Sequence, residues 1–506
     1  MAFSLFQKPK VETKKVAKWS PDMQKLQMDF FCQLTYMAAM ATSGISPRGL
    51  FRFAADLPYI SAHYFIRVNV VARAFNHHYS EACRIVGEAT KEADIKGFLL
   101  RLASAISSGE DLSEFLEKEA KVTSENYSNH YEGSLEVLKK WTDAYISLIM
   151  AAAIIAVMGV VTMIIGNVSI MFNLAMGTVV ILATIAGVYM INKSAPREEH
   201  THNLSILSSE QKLMRKLLRT VLPAGLMLVL ALVVLKIGLG VTLIAAGATL
   251  FPLGLVAIRE DNKIYRKDSD VSGFLRSLGG MSQAVNITIN EAMTRMDPNS
   301  MGSLMEDVEL LGLRLRTGIQ GRLCWERFVG ETGSEQISRC VRIFQDAISI
   351  GGVPGRVGKA VSNFAVQIVL LRSKRKLVDS GFTWLVMVMH IVLVVLVTFI
   401  YHVFDTFSVL VRTLMPTDSV SSVPAGIPSL SIFAADSSQM KMLLIMVTAI
   451  VLVLTVANAL AAYSTGGGHI YKLAFYLAIT SVVSGIVLLL VPSVVTALFS
   501  GMAVGG

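Results

Sequence analysis

Residues 442–463 read MLLIMVTAIVLVLTVANALAAY and contain no Lys, Arg, Asp or Glu. A helix needs about 20 predominantly apolar residues to cross the hydrocarbon core of a bilayer. A charge at the bilayer centre costs roughly 2.5–3.5 kcal/mol on insertion scales. This segment is therefore a predicted transmembrane helix. The same criterion selects six further segments, at 144–165, 168–191, 221–235, 237–258, 383–404 and 473–499.

The composition of the whole chain agrees with this prediction. Of its 506 residues 53% are hydrophobic and only 16% are charged, whereas soluble domains are about 25% charged. All but three of the 46 Lys and Arg residues lie in 1–143, 192–219, 259–382 or 464–472; the exceptions are Lys236, Arg412 and Lys441. Basic residues favour the cytoplasmic side. We therefore expect a multi-pass protein of the cell membrane with a cytoplasmic N-terminus and an extracytoplasmic C-terminus.

The segments between the spans define the expected domains. Residues 1–25 form a basic tail that lacks the apolar core of a signal peptide; contact with anionic lipid is the favoured role and partner binding the alternative. Residues 26–143 and 259–382 are two cytoplasmic domains, 192–220 is a basic cytoplasmic loop, and 405–441 is an extracytoplasmic loop. Lys236 marks the junction of the short third span with the fourth.

The two cytoplasmic segments match each other at a shift of 242 residues. AISSG at 105–109 meets AISIG at 347–351, and the first span falls on the fifth. Apolar residues recur at helical spacing, as in Phe98, Leu99 and Leu102, and Asp111 with Glu114 predicts a capping box for the next helix. The predicted fold is an all-α polytopic membrane protein with seven transmembrane helices and two homologous helical-bundle cytoplasmic domains.

No motif for catalysis, cofactor binding or metal binding is present. GVPGRVGKA at 352–360 resembles a phosphate-binding loop, but Val353 replaces the first glycine and Ala360 replaces the Ser or Thr that binds magnesium. The four cysteines lack metal-site or redox spacing and are expected in helix cores: Cys32, Cys83, Cys324 and Cys340. The sequence therefore predicts no enzyme and no cofactor.

The histidines have structural roles in this interpretation. His200 and His202 are expected to be solvated beside Glu198 and Glu199. His390 lies within the fifth span, and no carboxylate lies in any span to complete a proton relay. An interhelical hydrogen bond is therefore the favoured role for His390.

Basic residues are concentrated in the second cytoplasmic segment. From 310 to 376 there are twelve Lys or Arg residues against Glu326, Glu331, Glu335 and Asp346. The four at 372–376 are expected to be positive-inside anchors below the fifth span. The other eight form a candidate surface for an acidic partner: Arg314, Arg316, Arg322, Arg327, Arg339, Arg342, Arg356 and Lys359. Nucleic acid is disfavoured because no aromatic residues are interleaved with the arginines.

Short motifs resemble the F-type platform proteins of type II secretion and type IV pilus systems. They are FFCQL at 30–34 followed by ATSGIS at 41–46, and ISSGEDLS at 106–113. The second copy departs from the pattern, since Asn286 replaces the glycine and Pro354 the leucine. The resemblance covers 30–165 and 272–404. Seven spans and a large second domain look most like the archaeal branch, the platform of the archaellum or of archaeal pili.

This resemblance implies a mechanism without local chemistry. A cytoplasmic hexameric ATPase of the secretion type would dock on the helical domains, and the spans would pass the motion to pilin-like or archaellin-like subunits. A homodimer is compatible with the family. The first alternative is a transporter or channel with cytoplasmic regulatory domains, because Pro252 and the glycines of the second span could break helices. A membrane scaffold or sensor that recruits a signalling partner is the second alternative.

Overall fold

The computed structural model describes residues 22–165, 170–202, 204, 206–414 and 437–504. In these ranges the chain is helical apart from its turns, and the only β-type pairing is an isolated bridge between Thr201 and Ser334. Most of the N-terminal tail predicted at 1–25 and most of the loop predicted at 405–441 lie outside the described residues.

Sixteen α-helices and one 3-10 helix, Pro298–Leu304, make up these ranges. The α-helices are α1 (Met23–Ala41), α2 (Pro47–Ala55), α3 (Ala62–Ala74), α4 (Tyr79–Ala89), α5 (Ala93–Ser108), α6 (Leu112–Ile165), α7 (Ile170–Ser194), α8 (Ser209–Val234), α9 (Leu239–Val285), α10 (Ile289–Arg295), α11 (Met305–Arg316), α12 (Gly321–Thr332), α13 (Glu335–Ser349), α14 (Pro354–Leu414), α15 (Ser437–Gly466) and α16 (Lys472–Val504).

Six of these helices are long and apolar enough to cross a membrane: α7, α8, α9, α14, α15 and α16. They overlap the second to seventh predicted spans. The first predicted span, 144–165, is the last part of α6, which does not meet the same criterion over its described residues, so the count of seven stays a prediction.

Two helix limits differ from the sequence prediction. α8 begins within the predicted loop 192–220, because Ser208 and Gln211 form a capping box that satisfies backbone groups at its first turn. α14 runs on to Leu414, beyond the predicted end at 404. The third and fourth spans are separated by Lys236, whose φ of +52° breaks the helical path.

By contacts the chain divides into two compact units. The first comprises residues up to Met37 together with Ser46–Thr123. Its core is aromatic: the rings of Phe30 and Phe98 meet edge to face at 5.6 Å, and Phe65 packs beside Phe98. The second unit comprises Ala38–Ile45 and Ser124–Gly506. Its helices between the spans enclose a second aromatic cluster of Phe274, Trp325 and Phe328.

Helix starts recur along the chain at a constant interval. α10, α12, α13 and α14 each begin 242 residues after α2, α4, α5 and α6, and α11 begins 243 residues after α3. The interval equals the shift that aligns the two cytoplasmic segments in sequence. Such recurrence is what a duplicated module predicts.

The turns between these helices repeat at the same interval. Three pairs of residues 242 apart both have positive φ, which glycine and asparagine adopt more readily than other residues. The pairs are Gly44 with Asn286, Asn76 with Gly318, and Gly109 with Gly351. Asn286, which departs from the glycine of the motif, therefore keeps its backbone conformation. At the start of α6, Asp111 accepts a hydrogen bond from the backbone of Ser113, as the predicted cap requires, while Glu114 pairs with Lys118 instead.

Two glycine substitutions should have opposite effects on stability. Gly109 has a φ of +73° at the end of α5, and Gly109→Ala should lower the free energy of unfolding by about 1 kcal/mol because an L side chain is strained there. Gly133 lies inside α6 with open space at its Cβ position, and Gly133→Ala should raise it by about 0.5–1 kcal/mol. Thermal unfolding in detergent measures both; equal shifts of the two variants would contradict the assignment.

Candidate functional site

The main polar feature of the second unit is a buried group of ion pairs at the ends of the predicted spans. Its centre is Arg372 on α14, which is only 7% exposed. The guanidinium donates from Nε to Glu198 Oε2 at 2.7 Å and from Nη1 to Asp268 Oδ2 at 2.7 Å. Nη1 also donates to the side-chain oxygen of Gln336 at 2.9 Å. Three separate chain segments therefore meet at one side chain.

Local structure places these groups. Arg372 and Arg375 are three residues apart on α14, so both project from one helix face. Asp268 lies on α9 and also accepts a hydrogen bond from the hydroxyl of Ser334. Because Ser334 is the N-cap of α13, this bond joins the start of that helix to the ion pairs. We call Glu198, His200, Asp261, Asp268, Arg372, Arg375, Asp379 and Lys472 the charged cluster.

Arg375 holds the end of α15. Its guanidinium donates to the carbonyl oxygens of Thr465 at 2.9 Å and Ser464 at 3.2 Å. Carbonyls in the last turn of a helix have no partner within the helix and carry partial negative charge. A third bond joins Arg375 to the carbonyl of Pro196 at 2.8 Å. The guanidinium thus caps one predicted span and fixes the segment that follows α7.

The turn between α15 and α16 lies directly against charged side chains. Gly467 and Gly468 have φ of +64° and +92°. A Cβ on Gly467 would lie 2.6 Å from Arg375 Nη2, and one on Gly468 would lie 2.6 Å from Asp261 Oδ1. Both the backbone conformation and the space available therefore require glycine here. The close contact brings the last two predicted spans onto α9 and α14.

Asp261 completes the connection from α9 to α16. It accepts a hydrogen bond from Lys472 Nζ at 2.9 Å and lies 3.2 Å from His200 Nδ1. Asp379 on α14 instead accepts bonds from the hydroxyls of Thr383 and Thr465, both at 3.0 Å. A cavity of about 200 Å³ lies among these residues, lined also by Tyr265, Lys376 and Tyr476.

Helix α6 joins the cluster from its other side. The hydroxyl of Tyr131 donates to Glu198, and Lys374 Nζ donates to Glu132 Oε1 at 2.6 Å. Residues 132 and 374 are themselves 242 apart, and Gln367 also bonds Ser128. The part of α6 after residue 124 and α14 therefore run side by side in the same direction.

The protonation states follow from burial and pairing. Burial raises the pKa of Glu198, but His200 and Arg372 outweigh it, so this pKa lies well below its usual range. Burial and the charge of Arg372 lower the pKa of His200. Asp261 and Glu198 raise it by more, so its net pKa lies above the ordinary value. With His200 the charged cluster contains four basic and four acidic side chains.

The eight basic residues of the candidate partner surface occupy different environments. Arg314 forms two hydrogen bonds with Glu331, both at 2.8 Å, and Arg339 is 7% exposed and paired with Glu335. Arg342 is half-buried. The exposed members are Arg316, Arg322, Arg327, Arg356 and Lys359. Arg316, Arg322 and Arg327 lie around the α11–α12 turn, whereas Arg356 and Lys359 lie on α14.

Two expectations from the sequence are wrong. Arg372 and Arg375 are not exposed positive-inside anchors, because both are buried in the charged cluster; of the other two, Lys374 is half-buried and Lys376 is exposed. His200 and His202 are not solvated: His200 contacts Asp261 and His202 is 5% exposed. Their partners come from distant parts of the chain, and the only signal in the sequence was the accumulation of charges next to span ends.

Two other expectations are confirmed. His390 makes interhelical hydrogen bonds, with Nε2 lying 3.0 Å from Ser484 Oγ on α16. None of the four cysteines, all of which lie in the described ranges, forms a disulfide, and each is buried. Within the described residues, no group of three His, Cys, Asp or Glu side chains has the arrangement of a metal site.

Comparison with known proteins places the chain beside archaellum components. It is 25% identical to "Flagella accessory protein J" of Methanococcus voltae over 329 residues, 62% of this chain and 58% of that protein. The chain is a relative of flagella accessory protein J. The protein of that name from Methanocaldococcus jannaschii is 26% identical over 323 residues, 61% of this chain and 57% of the relative.

These matches agree with the archaeal branch of the resemblance and support an archaellum-related assembly protein. The alignments span less than two thirds of either relative. No protein-family model matches the chain, and no solved structure matches it.

Removing the central cation should destabilise the protein strongly. Arg372→Gln leaves Glu198 and Asp268 buried without their partner, and breaking a buried pair in this way costs about 3–5 kcal/mol. Arg322→Gln is the matched control: it breaks an exposed pair with Glu326 and should change stability by less than about 1 kcal/mol. Unfolding in mixed micelles measures both, and similar losses would contradict a special role for Arg372.

Glu260 should make stability depend on pH. It is 1% exposed, and burial, with help from Glu210 and Asp261, raises its pKa to about 7. The folded state therefore binds a proton more tightly than the unfolded state, and the free energy of unfolding falls as pH rises from about 4.5 to 7. Glu260→Gln should raise the unfolding temperature at pH 8 and leave it unchanged near pH 4.5. The exposed control Glu114→Gln should alter neither. If the unfolding temperature of Glu260→Gln differed from that of the parent by the same amount at pH 4.5 and at pH 8, the pKa shift would be contradicted.

Proposed function

We propose that the protein is the membrane platform of an archaellum or a related type IV filament machine. In this role a separate cytoplasmic hexameric ATPase supplies work, and pilin-like or archaellin-like subunits are assembled at the membrane. The similarity to flagella accessory protein J supports the archaellum-related part of this proposal. The proposal includes seven spans, a cytoplasmic N-terminus and an extracytoplasmic C-terminus, as the distribution of Lys and Arg favours.

The observation that carries the mechanism is the continuity of two helices. α14 has 61 residues and α6 has 54, and at 1.5 Å per residue they are about 90 and 80 Å long. Each begins at the last turn of one set of repeated helices and continues into an apolar segment. An unbroken helix transmits a displacement along its axis, because its backbone hydrogen bonds resist bending and stretching.

The repeated helix starts support two homologous bundles, one before each of these helices. The charged cluster would carry a displacement of α14 to the remaining spans. Its bonds join α14 to α9, to the segment after α7 and to the turn before α16. A displacement of α14 would therefore be shared by these elements. This arrangement fits a platform that receives work from outside its own chain.

The proposal is tested with the purified full-length protein, the secretion-type ATPase and the pilin-like subunit encoded in the same genome. A platform should bind both and should raise the ATPase rate, while hydrolysing no ATP alone. Hydrolysis by the purified protein alone would contradict the proposal. Substrate-dependent flux through proteoliposomes that contain only this chain would instead support the transporter alternative.

The α11–α12 turn is the proposed docking surface for the ATPase. Arg322 has a side chain 81% exposed and Arg316 is also exposed, with its guanidinium bonded only to the carbonyl of Thr294 among the described contacts. Leu313 and Leu323 are more than half exposed beside them. The double variant Arg316→Glu with Arg322→Glu should weaken ATPase binding at least about tenfold, or 1.4 kcal/mol, through charge repulsion.

The matched control reverses two exposed arginines of the first set of helices, Arg48→Glu with Arg52→Glu. This control should bind the ATPase as the parent does. Affinity is measured by titration of labelled ATPase against protein in nanodiscs. Equal losses in both double variants would indicate unspecific charge attraction, and an unchanged affinity of the first would contradict the assignment.

A further inference from the structure

A second polar network lies inside the predicted spans, separate from the charged cluster. It consists of Tyr145 on α6, His390 on α14, Asn458 on α15 and Ser484 on α16. Each of these side chains is at most 1% exposed. Their surroundings are apolar helices, where a polar group without a partner is expensive because no water is available. The polar groups of these four residues are therefore stable here only when they are hydrogen-bonded.

The hydrogen bonds form one continuous chain. The Tyr145 hydroxyl donates to Asn458 Oδ1 at 2.7 Å. Asn458 Nδ2 lies 3.0 Å from His390 Nδ1. His390 Nε2 lies 3.0 Å from Ser484 Oγ and 3.2 Å from the carbonyl oxygen of Thr480. The chain thus crosses from α6 through α15 and α14 to α16.

The chemistry of the groups gives this chain a direction. Asn458 Oδ1 accepts from Tyr145, so the amide NH2 faces the imidazole and can only donate. His390 Nδ1 must then be the acceptor, which assigns the proton to Nε2. Nε2 donates to the Thr480 carbonyl, an acceptor-only group, and to the Ser484 hydroxyl. Each bond in this chain pairs a donor with an acceptor, and successive bonds of this kind strengthen one another.

We propose that Tyr145, Asn458, His390 and Ser484 form a latch within the membrane that makes α6 and α14 move as one body. Separating α6 from α15 leaves the Tyr145 hydroxyl and Asn458 Oδ1 unpaired in apolar surroundings. Separating α14 from α15 leaves Asn458 Nδ2 and His390 Nδ1 unpaired. The packing agrees with this role: the rings of Tyr145 and Phe382 lie 6.2 Å apart, and a Cβ on Gly187 would lie 2.6 Å from Tyr145 Cδ2.

For the proposed function, the latch means that the two long helices deliver one common movement to the membrane. Work applied to either set of repeated helices would reach both long helices, because the latch joins them within the bilayer. The latch itself is a property of this chain alone and requires no ATPase or filament subunit. An experiment that contradicts the latch therefore leaves the proposed function unaffected. An experiment that contradicts the proposed function likewise leaves the latch unaffected.

Distances between α6 and α14 test the latch. Spin labels are attached to cysteines introduced by Ile154→Cys and Val392→Cys, two positions that are 64% and 48% exposed and lie away from the charged cluster. The native thiols are buried, so the introduced ones react selectively. The doubly labelled full-length protein in nanodiscs should give one narrow distance distribution. Introducing His390→Leu should at least double the width of this distribution, because Asn458 and Ser484 lose the group that joins them.

His402→Leu is the matched control, since it makes the same change on the same helix outside the network. It should leave the distribution unchanged. If His390→Leu does not fold, Tyr145→Phe is the second test of the latch. This variant keeps the ring and removes only the hydroxyl that donates to Asn458. A folded His390→Leu or Tyr145→Phe protein with the parental width would overturn the proposal.

Discussion

The guanidinium of Arg372 must remain out of water between two carboxylates, and the arrangement of the second unit depends on this constraint. Moving a charge from water into a protein interior costs several kcal/mol, which is recovered only where partners are close and well oriented. Glu198 and Asp268 meet this condition at 2.7 Å each. Since they belong to different segments, the ion pairs fix where the segment after α7 and helix α9 lie relative to α14.

The charged cluster and the network around His390 stabilise neighbouring helices in different ways. Beyond the spans, full charges are balanced against each other, and the bonds reach backbone carbonyls such as that of Thr465. Within the spans, no carboxylate among the described residues faces His390, and neutral groups donate in one direction. This difference reflects the polarity of the surroundings. Ion pairs are stable at the polar boundary of a membrane, whereas its apolar interior favours hydrogen bonds between neutral groups.

The sequence allowed prediction of those features that depend on neighbours along the chain. The spans were predictable because hydropathy accumulates over about 20 residues, and the ends of α5 and α13 because Gly109 and Gly351 permit positive φ. Arg372 was misassigned because its partners are 174 and 104 residues away in the chain. A run of basic residues beside a span has the same appearance whether it contacts lipid or carboxylates, so only tertiary structure distinguishes the two.

The constant interval between helix starts has a consequence for experiments that compare the two sets of helices. Asn286 stands where the earlier turn has Gly44, and Trp325 where the earlier helix has Cys83, yet the spacing differs by no more than one residue throughout. Residue type therefore differs between the sets, while the interval from one helix start to the next changes by at most one residue. Segments exchanged between the sets at matching turns would stay in frame, which makes hybrid chains a practical means of assigning separate tasks to the two halves.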